Sequence, residues 1–164
     1  MISDRINNTL NEQINKEFYS GYLYLSMSAH LKELGLFGFA SWMRIQAKEE
    51  VEHGLKIFDY IINSNSFVTL KQIKTPDFEY NGVISIFNIV YEHEKCITNS
   101  IMEVAKIAEE ECDRTTLSFI DWFIASSSSI CSITNQSIKL KVVLSHSSSA
   151  TLATSIIACV ILFS

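Results

Sequence analysis

Proline and glycine are scarce in this sequence, which has one proline and five glycines among 164 residues. Because these two residues interrupt helices more than any others, their scarcity predicts long helices with few breaks. The four cysteines, Cys96, Cys112, Cys131 and Cys159, are scattered, and none forms a C-x-x-C pair. Without that spacing they are poor candidates for metal ligands, and we interpret them as reduced packing residues.

An excess of basic charge is also missing. The chain has 13 lysines and arginines against 18 aspartates and glutamates, a net charge of −5, which argues against nucleic acid as the main partner. Residues 1–5 contain no basic segment followed by an apolar one, so we expect no signal peptide. The apolar run at 156–163 is too short to span a membrane, which takes about 20 residues. We therefore expect a cytoplasmic protein without a membrane partner.

Helical periodicity is the strongest pattern that the sequence does contain. Apolar residues recur every three or four positions in segments 4–33, 39–63, 83–110 and a fourth that begins near Thr115. In the first segment this stripe consists of Ile6, Leu10, Ile14, Phe18, Leu25 and Ala29. Gly35 and Gly38 mark a short turn, whereas 64–82 has no helical period and contains Pro76. A connection that long can run the length of a bundle, so the second and third helices are predicted to be parallel. The sequence predicts an all-α four-helix bundle with one long crossover, in a single domain over 1–164.

Four side chains that commonly bind metals interrupt the apolar stripes of three predicted helices: Glu17, Glu50, His53 and Glu94. Glu50 and His53 are three residues apart, so on a helix they face the same way and can bind one ion. On its own, a glutamate and a histidine at this spacing are ordinary on a solvated helix face. A carboxylate on an otherwise buried face, however, is unfavourable unless it is paired or bound to a metal. Carboxylates with one imidazole suit iron and similar cations, so the sequence predicts a metal site inside the bundle.

Motifs around these residues resemble those of the non-haem ferritins of bacteria and archaea. They are LNEQINKE at 10–17, YSGYLYLSM at 19–27, GFASWM at 38–43, EEVEH at 49–53, YEHE at 91–94 and FIDWF at 119–123. The resemblance covers residues 1–124. Because only one Glu-x-x-His pair is present, the two-pair pattern of bacterioferritins is not matched, and no methionine is assigned as a haem ligand.

The resemblance implies a ferritin-like bundle with a short fifth helix at its C-terminus. It implies a homo-oligomer in which twenty-four subunits, a 24-mer, close into a hollow shell. Within each subunit, Fe(II) would be oxidised by O₂ or peroxide at a non-haem di-iron centre, and ferric mineral would be stored in the cavity. By this resemblance the chain is a ferroxidase, an Fe(II):O₂ oxidoreductase.

The same resemblance assigns roles to individual residues. Glu17 and His53 would bind the first iron, Glu50 would bridge the two ions, and Glu94 would bind the second.

Two further positions match residues near the family's di-iron centre. Tyr24 matches a tyrosine close to the centre, and Glu49 matches a carboxylate that binds a nearby third iron.

The sequence departs from the family pattern after Phe123. No aspartate or glutamate occurs in 125–164, where serine is the commonest residue. The family has a stretch rich in glutamate and glutamine that supplies the second and third ions; here these positions are Ser126, Ser127, Ser129 and Ile130. A neutral hydroxyl is a poor iron ligand and isoleucine is none, so we expect a complete first-iron site and a weakened second one. Losing every acidic residue at once suggests a replaced reading frame or a sequence error, a hypothesis that sequencing codons 120–164 tests.

Two functions of different classes remain open at this point. The intact Glu17, Glu50 and His53 favour a ferroxidase. Ser127 and Ile130 favour a structural shell subunit with an impaired centre, which nucleates mineral while other subunits oxidise iron. A third reading is a bundle that binds iron without assembling. A rubrerythrin is disfavoured because its iron–sulfur domain needs paired C-x-x-C motifs.

Overall fold

A computed structural model describes residues 1–76 and 79–126, which form four helices. The helices are α1 (Asp4–Glu33), α2 (Phe37–Asn63), α3 (Gly82–Glu110) and α4 (Arg114–Ser126). No strand occurs in these residues, so the all-α fold and the long crossover are confirmed. None of the four helices combines the length and apolar character that a membrane span needs. The predicted fifth helix and the positions Ser127, Ser129 and Ile130 lie outside the described residues.

Polar side chains accept hydrogen bonds from the backbone at the starts of α1 and α4. Ser3 Oγ accepts a hydrogen bond from the backbone N–H of Ile6 at 3.1 Å, which satisfies a free donor at the start of α1. Asp113 Oδ1 does the same at the start of α4, accepting from the backbone N–H groups of Thr115 and Thr116. The turn after α1 contains Gly35 with a φ of +74°, a left-handed conformation that glycine adopts without steric cost.

Contacts between the helices establish their directions. Ser28, near the end of α1, donates to the carbonyl of Ala40, near the start of α2, at 2.6 Å. Arg5, at the start of α1, forms an ion pair with Glu110, the last residue of α3, at 2.6 Å. Both α2 and α3 therefore run antiparallel to α1, and the prediction that they are parallel to each other is confirmed.

The crossover is held against α1 by three asparagines spaced four residues apart, Asn7, Asn11 and Asn15, which we call the asparagine ladder. Asn11 Nδ2 donates to the carbonyl of Phe67 at 3.1 Å, and Asn11 Oδ1 accepts from the backbone N–H of Thr69 at 2.6 Å. Asn15 Nδ2 donates to the carbonyl of Gln72 at 3.2 Å. Side chains of α1 thus satisfy backbone groups of a segment that has no strand partner of its own.

The interior consists of two apolar clusters separated by a polar layer. The first cluster includes Leu23, Tyr24, Met27, Ala47, Ile86 and Val90. The second includes Ile14, Ile57, Ile61, Ile97, Ile101 and Phe123. On each of the first three helices the gap between the clusters contains a buried ionisable residue: Glu17, Glu50 with His53, and Glu94. The fold therefore places these four residues at one level of the bundle.

The predicted apolar stripe of α1 is right in its first half and wrong in its second. Ile6, Leu10 and Ile14 are buried, but Leu25 is 45% exposed and Ala29 is also exposed. Met27 and Leu31 are buried in their place. Each four-residue step of the predicted stripe advances about 40° beyond a full turn. The buried residues instead repeat every seven positions: Ile6, Gln13, Ser20 and Met27, and Leu10, Glu17, Tyr24 and Leu31.

Candidate metal centre

Three of the predicted ligands converge between α1 and α2. One ligand atom from each of Glu17, Glu50 and His53 can be chosen so that all three lie within 4.8 Å of one another. His53 Nδ1 is 3.9 Å from Glu17 Oε2 and 3.7 Å from Glu50 Oε1. All three residues are buried. In residues 1–76 and 79–126, no other group of three or more His, Cys, Asp or Glu side chains meets this spacing. We call these residues the ligand triad.

Two glycines allow α1 and α2 to approach closely beside the ligand triad. A Cβ atom on Gly21 would lie 3.0 Å from the carbonyl oxygen of Ala47, on the opposite helix. A Cβ atom on Gly54 would lie 2.6 Å from Cε1 of Phe18, closer than real Cβ contacts allow. The small residues therefore permit the helix separation at which Glu17 reaches the ligands of α2.

Glu94 brings a third helix to the centre but is not part of the ligand triad. Its side chain is fully buried, and its Oε1 accepts a hydrogen bond from the Tyr24 hydroxyl. It lies near enough to Glu17 and Glu50 for its negative charge to raise the pKa of both. The structure thus places Glu94 and Tyr24 beside the triad.

Each of the four buried ionisable residues has a polar atom without a hydrogen-bond partner. The atoms are Glu17 Oε2, Glu50 Oε2, His53 Nδ1 and Glu94 Oε2. Leaving a buried polar group unsatisfied typically costs about 1–3 kcal/mol, and more for a charged one. A cation would satisfy several of these acceptors at once. The arrangement therefore has the character of a metal site and is a poor choice for a packed core.

Burial also decides which groups are ionised in the metal-free protein. It raises the pKa of Glu17 from 4.5 to about 7, although the hydrogen bond from Gln13 offsets part of the effect. Burial likewise raises the pKa of Glu50 and of Glu94. It lowers the pKa of His53 to about 4, with a smaller contribution from Lys56. At neutral pH the imidazole is therefore neutral, the form that binds metals.

Glu49 lies at the edge of the centre. It is half-buried, and its Oε2 accepts a hydrogen bond from Nε2 of Gln46 at 2.7 Å. It does not belong to the ligand triad, but its charge contributes to the raised pKa of Glu94. The metal-binding roles of Glu49 and Glu94, and the role of Tyr24, stay predictions.

Gln13 and His93 also lie at the centre, and the sequence analysis assigned neither of them a role there. Gln13 is buried and donates to Glu17 Oε1 at 2.6 Å. Its position one helical turn before Glu17 is a signal that could have identified it. His93 packs edge-on against Tyr24, with ring centroids 6.0 Å apart, and its Nε2 lies 2.8 Å from Ser20 Oγ.

The described part of α4 adds an aromatic wall and no carboxylate. The Phe123 ring is edge-on to His53, with centroids 5.4 Å apart. Asp121 is the acidic residue of this part of α4, and its side chain is exposed. Trp122 is 53% exposed, and Lys56 Nζ lies over its ring, 5.6 Å from the centroid. From Arg114 to Ala125, α4 therefore shields the centre from one side without supplying a ligand.

A four-helix bundle with one crossover and inward-facing carboxylates beside an imidazole is the architecture of carboxylate-type metal-binding bundles. A model of the ferritin-like domain family matches residues 7–129. The chain belongs to the ferritin family.

Individual relatives and solved structures agree with this assignment. The chain is 36% identical over 124 residues to a probable bacterial non-heme ferritin-like protein of Haemophilus influenzae, covering 76% of this chain and 75% of the relative. It is 35% identical over 125 residues to the bacterial non-heme ferritin of Campylobacter jejuni, with the same coverage of 76% and 75%. An open pore ferritin from Archaeoglobus fulgidus superposes with a TM-score of 0.87 at 34% identity, covering 97% of this chain and 96% of that one.

Proposed function

We propose that this chain is an iron-storage subunit that oxidises Fe²⁺ at a di-iron centre inside the bundle. The observation that carries the proposal is the set of four unpartnered, buried ligand atoms on three helices, on Glu17, Glu50, His53 and Glu94. Relatives named non-heme ferritins support the choice of iron as the substrate. Carboxylate oxygens with one imidazole nitrogen also suit Fe²⁺ and Fe³⁺ better than a soft metal.

The ligand triad would bind the first Fe²⁺ ion. Glu17 Oε2 and His53 Nδ1 are unpartnered and 3.9 Å apart, so one ion between them would contact both. Glu50 lies beside His53 and has two oxygens, one of them unpartnered, so it is suited to bridge to a second ion. The three residues would supply two negative charges and a neutral donor.

Glu94 would bind the second Fe²⁺ ion through Oε2, while Tyr24 holds Oε1 by its hydrogen bond. The pKa of Tyr24 is raised well above 10, first by burial and then by Glu94, so its phenol stays protonated. Tyr24 is therefore available as a proton or hydrogen donor beside the ions. Glu49, at the edge of the centre, would bind a third ion.

Each Fe²⁺ ion is a substrate that gives up one electron. Two ions held side by side supply the electron pair that converts O₂, with two protons, into hydrogen peroxide, or hydrogen peroxide, with two protons, into water. Carboxylates stabilise the product Fe³⁺ more than Fe²⁺, because the attraction grows with the charge of the ion.

A structural shell subunit with an impaired ferroxidase centre is the alternative that a specific observation supports. From Arg114 to Ala125, the α4 side chain described against the ligand triad is the apolar ring of Phe123. With less carboxylate support, the second ion would bind weakly and oxidation would be slow. Such a subunit would contribute to the shell and nucleate mineral on acidic side chains.

We also propose that the chain forms a homo-oligomer, a 24-mer shell in the cytoplasm, as a single domain over 1–164. Large apolar side chains are exposed on α1 and α2, among them Tyr22, Leu25, Phe37, Ile45 and Leu55. Exposed apolar surface of this extent is typical of a surface that another subunit covers. Sedimentation-velocity analysis tests the proposal, since a monomer of 18.6 kDa and a closed shell differ greatly in size.

Stopped-flow absorbance distinguishes the ferroxidase proposal from the shell-subunit alternative. Metal-free protein in aerated buffer is mixed with anaerobic Fe²⁺, and the Glu50→Ala variant is the control. A fast ferric phase that saturates near two ions per subunit and is absent from the variant supports the ferroxidase. Oxidation no faster than that of Glu50→Ala would leave the shell subunit as the better account.

A further inference from the structure

Gln13 donates a hydrogen bond to one predicted ligand, Glu17. The Gln13 side chain is almost fully buried on α1, and Nε2 donates a hydrogen bond to Glu17 Oε1 at 2.6 Å. This bond occupies one oxygen of the carboxylate, whereas the other, Oε2, has no hydrogen-bond partner. Oε2 is the oxygen that lies 3.9 Å from His53 Nδ1. The hydrogen bond therefore determines which oxygen of Glu17 is presented to the ligand triad.

The stability of the fold does not account for a glutamine at this position. Gln13 Oε1 is itself buried without a hydrogen-bond partner, which is unfavourable compared with an apolar side chain of the same size. Asn11, also buried on α1, is different because its Oδ1 and Nδ2 both bond to the crossover, at Thr69 and Phe67. The hydrogen bonds of Asn11 hold the crossover, whereas Gln13 donates its hydrogen bond to the carboxylate of Glu17.

An amide is a suitable hydrogen-bond donor to a metal-binding carboxylate. Lysine or arginine at position 13 would form an ion pair with Glu17 and compete with a metal for its charge. An amide donates a hydrogen without carrying a charge, so the carboxylate keeps its full negative charge for a cation. Hydrogen bonds of this kind to metal-binding side chains fix their orientation and contribute to metal affinity.

We infer that Gln13 is a positioning residue that holds Glu17 so that Oε2 alone binds the first ion. The inference rests on the proposed function, because it requires Glu17 to be a ligand. Gln13 does not touch the ion and acts through Glu17. Substitution of such residues typically lowers metal affinity about 10–100-fold.

The first experiment measures binding of Co²⁺, a divalent ion whose visible absorption reports on its ligands. Metal-free, full-length protein is titrated with Co²⁺, and wild type is compared with Gln13→Met, which preserves the side-chain volume and removes the amide. We expect the tightest site of the variant to bind Co²⁺ about 10–100-fold more weakly. The visible spectrum should also change, because Glu17 is then free to bind with either or both oxygens. Unchanged affinity and an unchanged spectrum would overturn the inference.

A double-mutant cycle distinguishes positioning from packing. If Gln13 acts through Glu17, then Gln13→Met causes no further loss of Co²⁺ affinity in a Glu17→Ala background. The same loss in both backgrounds would show that Gln13 acts by packing and would overturn the inference. Gln13→Leu is the second replacement, and circular dichroism monitors the helices of each variant. If neither replacement folds, Gln13 is required by the fold itself and the inference is equally wrong.

Two controls separate this inference from the proposed function. Asn11→Leu removes a buried amide from the same helix, and because Asn11 bonds to the crossover it should keep wild-type Co²⁺ affinity. Glu50→Ala should weaken binding if the ligand triad binds metal at all. If Glu50→Ala leaves binding unchanged, the proposed site fails. If Glu50→Ala weakens binding while Gln13→Met does not, only the role of Gln13 fails.

Discussion

The Tyr24 hydroxyl donates a hydrogen bond to Glu94 Oε1 inside the bundle. Both side chains are fully buried, so this bond joins α1 to α3 at the level of the ligand triad. It satisfies one oxygen of Glu94 and leaves Oε2 without a partner. The bond should therefore contribute to the stability of the metal-free protein, which can be measured.

Replacing Tyr24 by phenylalanine should destabilise the metal-free protein by about 1–3 kcal/mol, because Glu94 Oε1 loses its donor and stays buried. Urea denaturation measures the change. Tyr22→Phe is the matched control, since Tyr22 is 56% exposed on the same helix and should tolerate the loss of its hydroxyl. Equal stability of the two variants would show that the bond from Tyr24 to Glu94 contributes nothing.

The metal-free protein should lose stability as the pH rises from about 6.5 to about 8. Burial raises the pKa of Glu17 from 4.5 to about 7, so between these two pH values the folded state holds a proton that the unfolded state has released. The stabilisation is fully present below the unfolded-state pKa and is lost as the pH rises through the folded-state pKa. Glu17 alone should contribute a loss of about 1 kcal/mol over this range. Urea denaturation at stepped pH measures it.

His53 acts in the opposite direction but mainly at lower pH. Its pKa falls from 6.5 in the unfolded chain to about 4 in the fold, so over the chosen range it still adds about 0.4 kcal/mol and offsets about half of the loss from Glu17. Glu17→Gln removes the titrating group while preserving its shape, so the stability of this variant should decline less as the pH rises. A decline of the same size in Glu17→Gln would assign the pH dependence to other groups.

Divalent ions should stabilise the protein through the ligand triad. An ion that binds only the folded state adds about 2.7 kcal/mol of stability when its concentration is 100 times its dissociation constant. Thermal unfolding with and without Zn²⁺, which is not oxidised, measures the gain. Glu50→Ala should lose most of it, whereas Glu52→Ala, at an exposed position of the same helix, should keep it. A gain that survives in Glu50→Ala would place the ion elsewhere.

The substitution Gly54→Ala should destabilise the bundle by about 1–3 kcal/mol, because the added methyl group overpacks the contact between α1 and α2. The new Cβ atom would lie 2.6 Å from Cε1 of Phe18, so the ring or the helices must move apart. Chemical denaturation measures the loss. Phe18→Leu in the same chain reduces the clash, so the double variant should lose less than the sum of the two single ones. Additive losses would show that Phe18 is not the obstacle.

Breaking the asparagine ladder should loosen the crossover without altering the metal centre. Asn11→Leu leaves the half-buried N–H of Thr69 without its partner and leaves the carbonyl of Phe67 with the hydrogen bond from Asn7 alone. We expect faster cleavage by a nonspecific protease within 64–80, which timed digestion and mass spectrometry measure. Thr115→Ala, at an exposed position on α4 far from the crossover in the chain, is the control. Cleavage rates equal to those of wild type would contradict a role for the ladder.

The helices were largely predictable from apolar spacing. The predicted starts at 39, 83 and 115 are within two residues of the observed starts at Phe37, Gly82 and Arg114. The parallel arrangement of α2 and α3 followed from the length of the crossover. The outward direction of Leu25 was not predicted, because the four-residue steps of the predicted stripe depart from the seven-residue repeat of the buried face.

The centre was predictable where spacing along a helix decides the geometry. Glu50 and His53 share a face by their spacing, and Glu17 lies within the apolar stripe of α1, so their convergence was expected. The role of Gln13 was not, because an amide within an apolar stripe has many possible partners and only the fold selects one. For the same reason, the hydrogen bond between Tyr24 and Glu94 could not be deduced from residue types.

The asparagine ladder bonds to the crossover in order along α1. Asn7 and Asn11 bond to Phe67, Asn11 also bonds to Thr69, and Asn15, about 6 Å further along the helix, bonds to Lys71 and Gln72. One extra residue between Phe67 and Gln72 would turn the bonded groups away from α1 and shift every later contact. Insertions and deletions during evolution should therefore be tolerated after Gln72 and excluded before it.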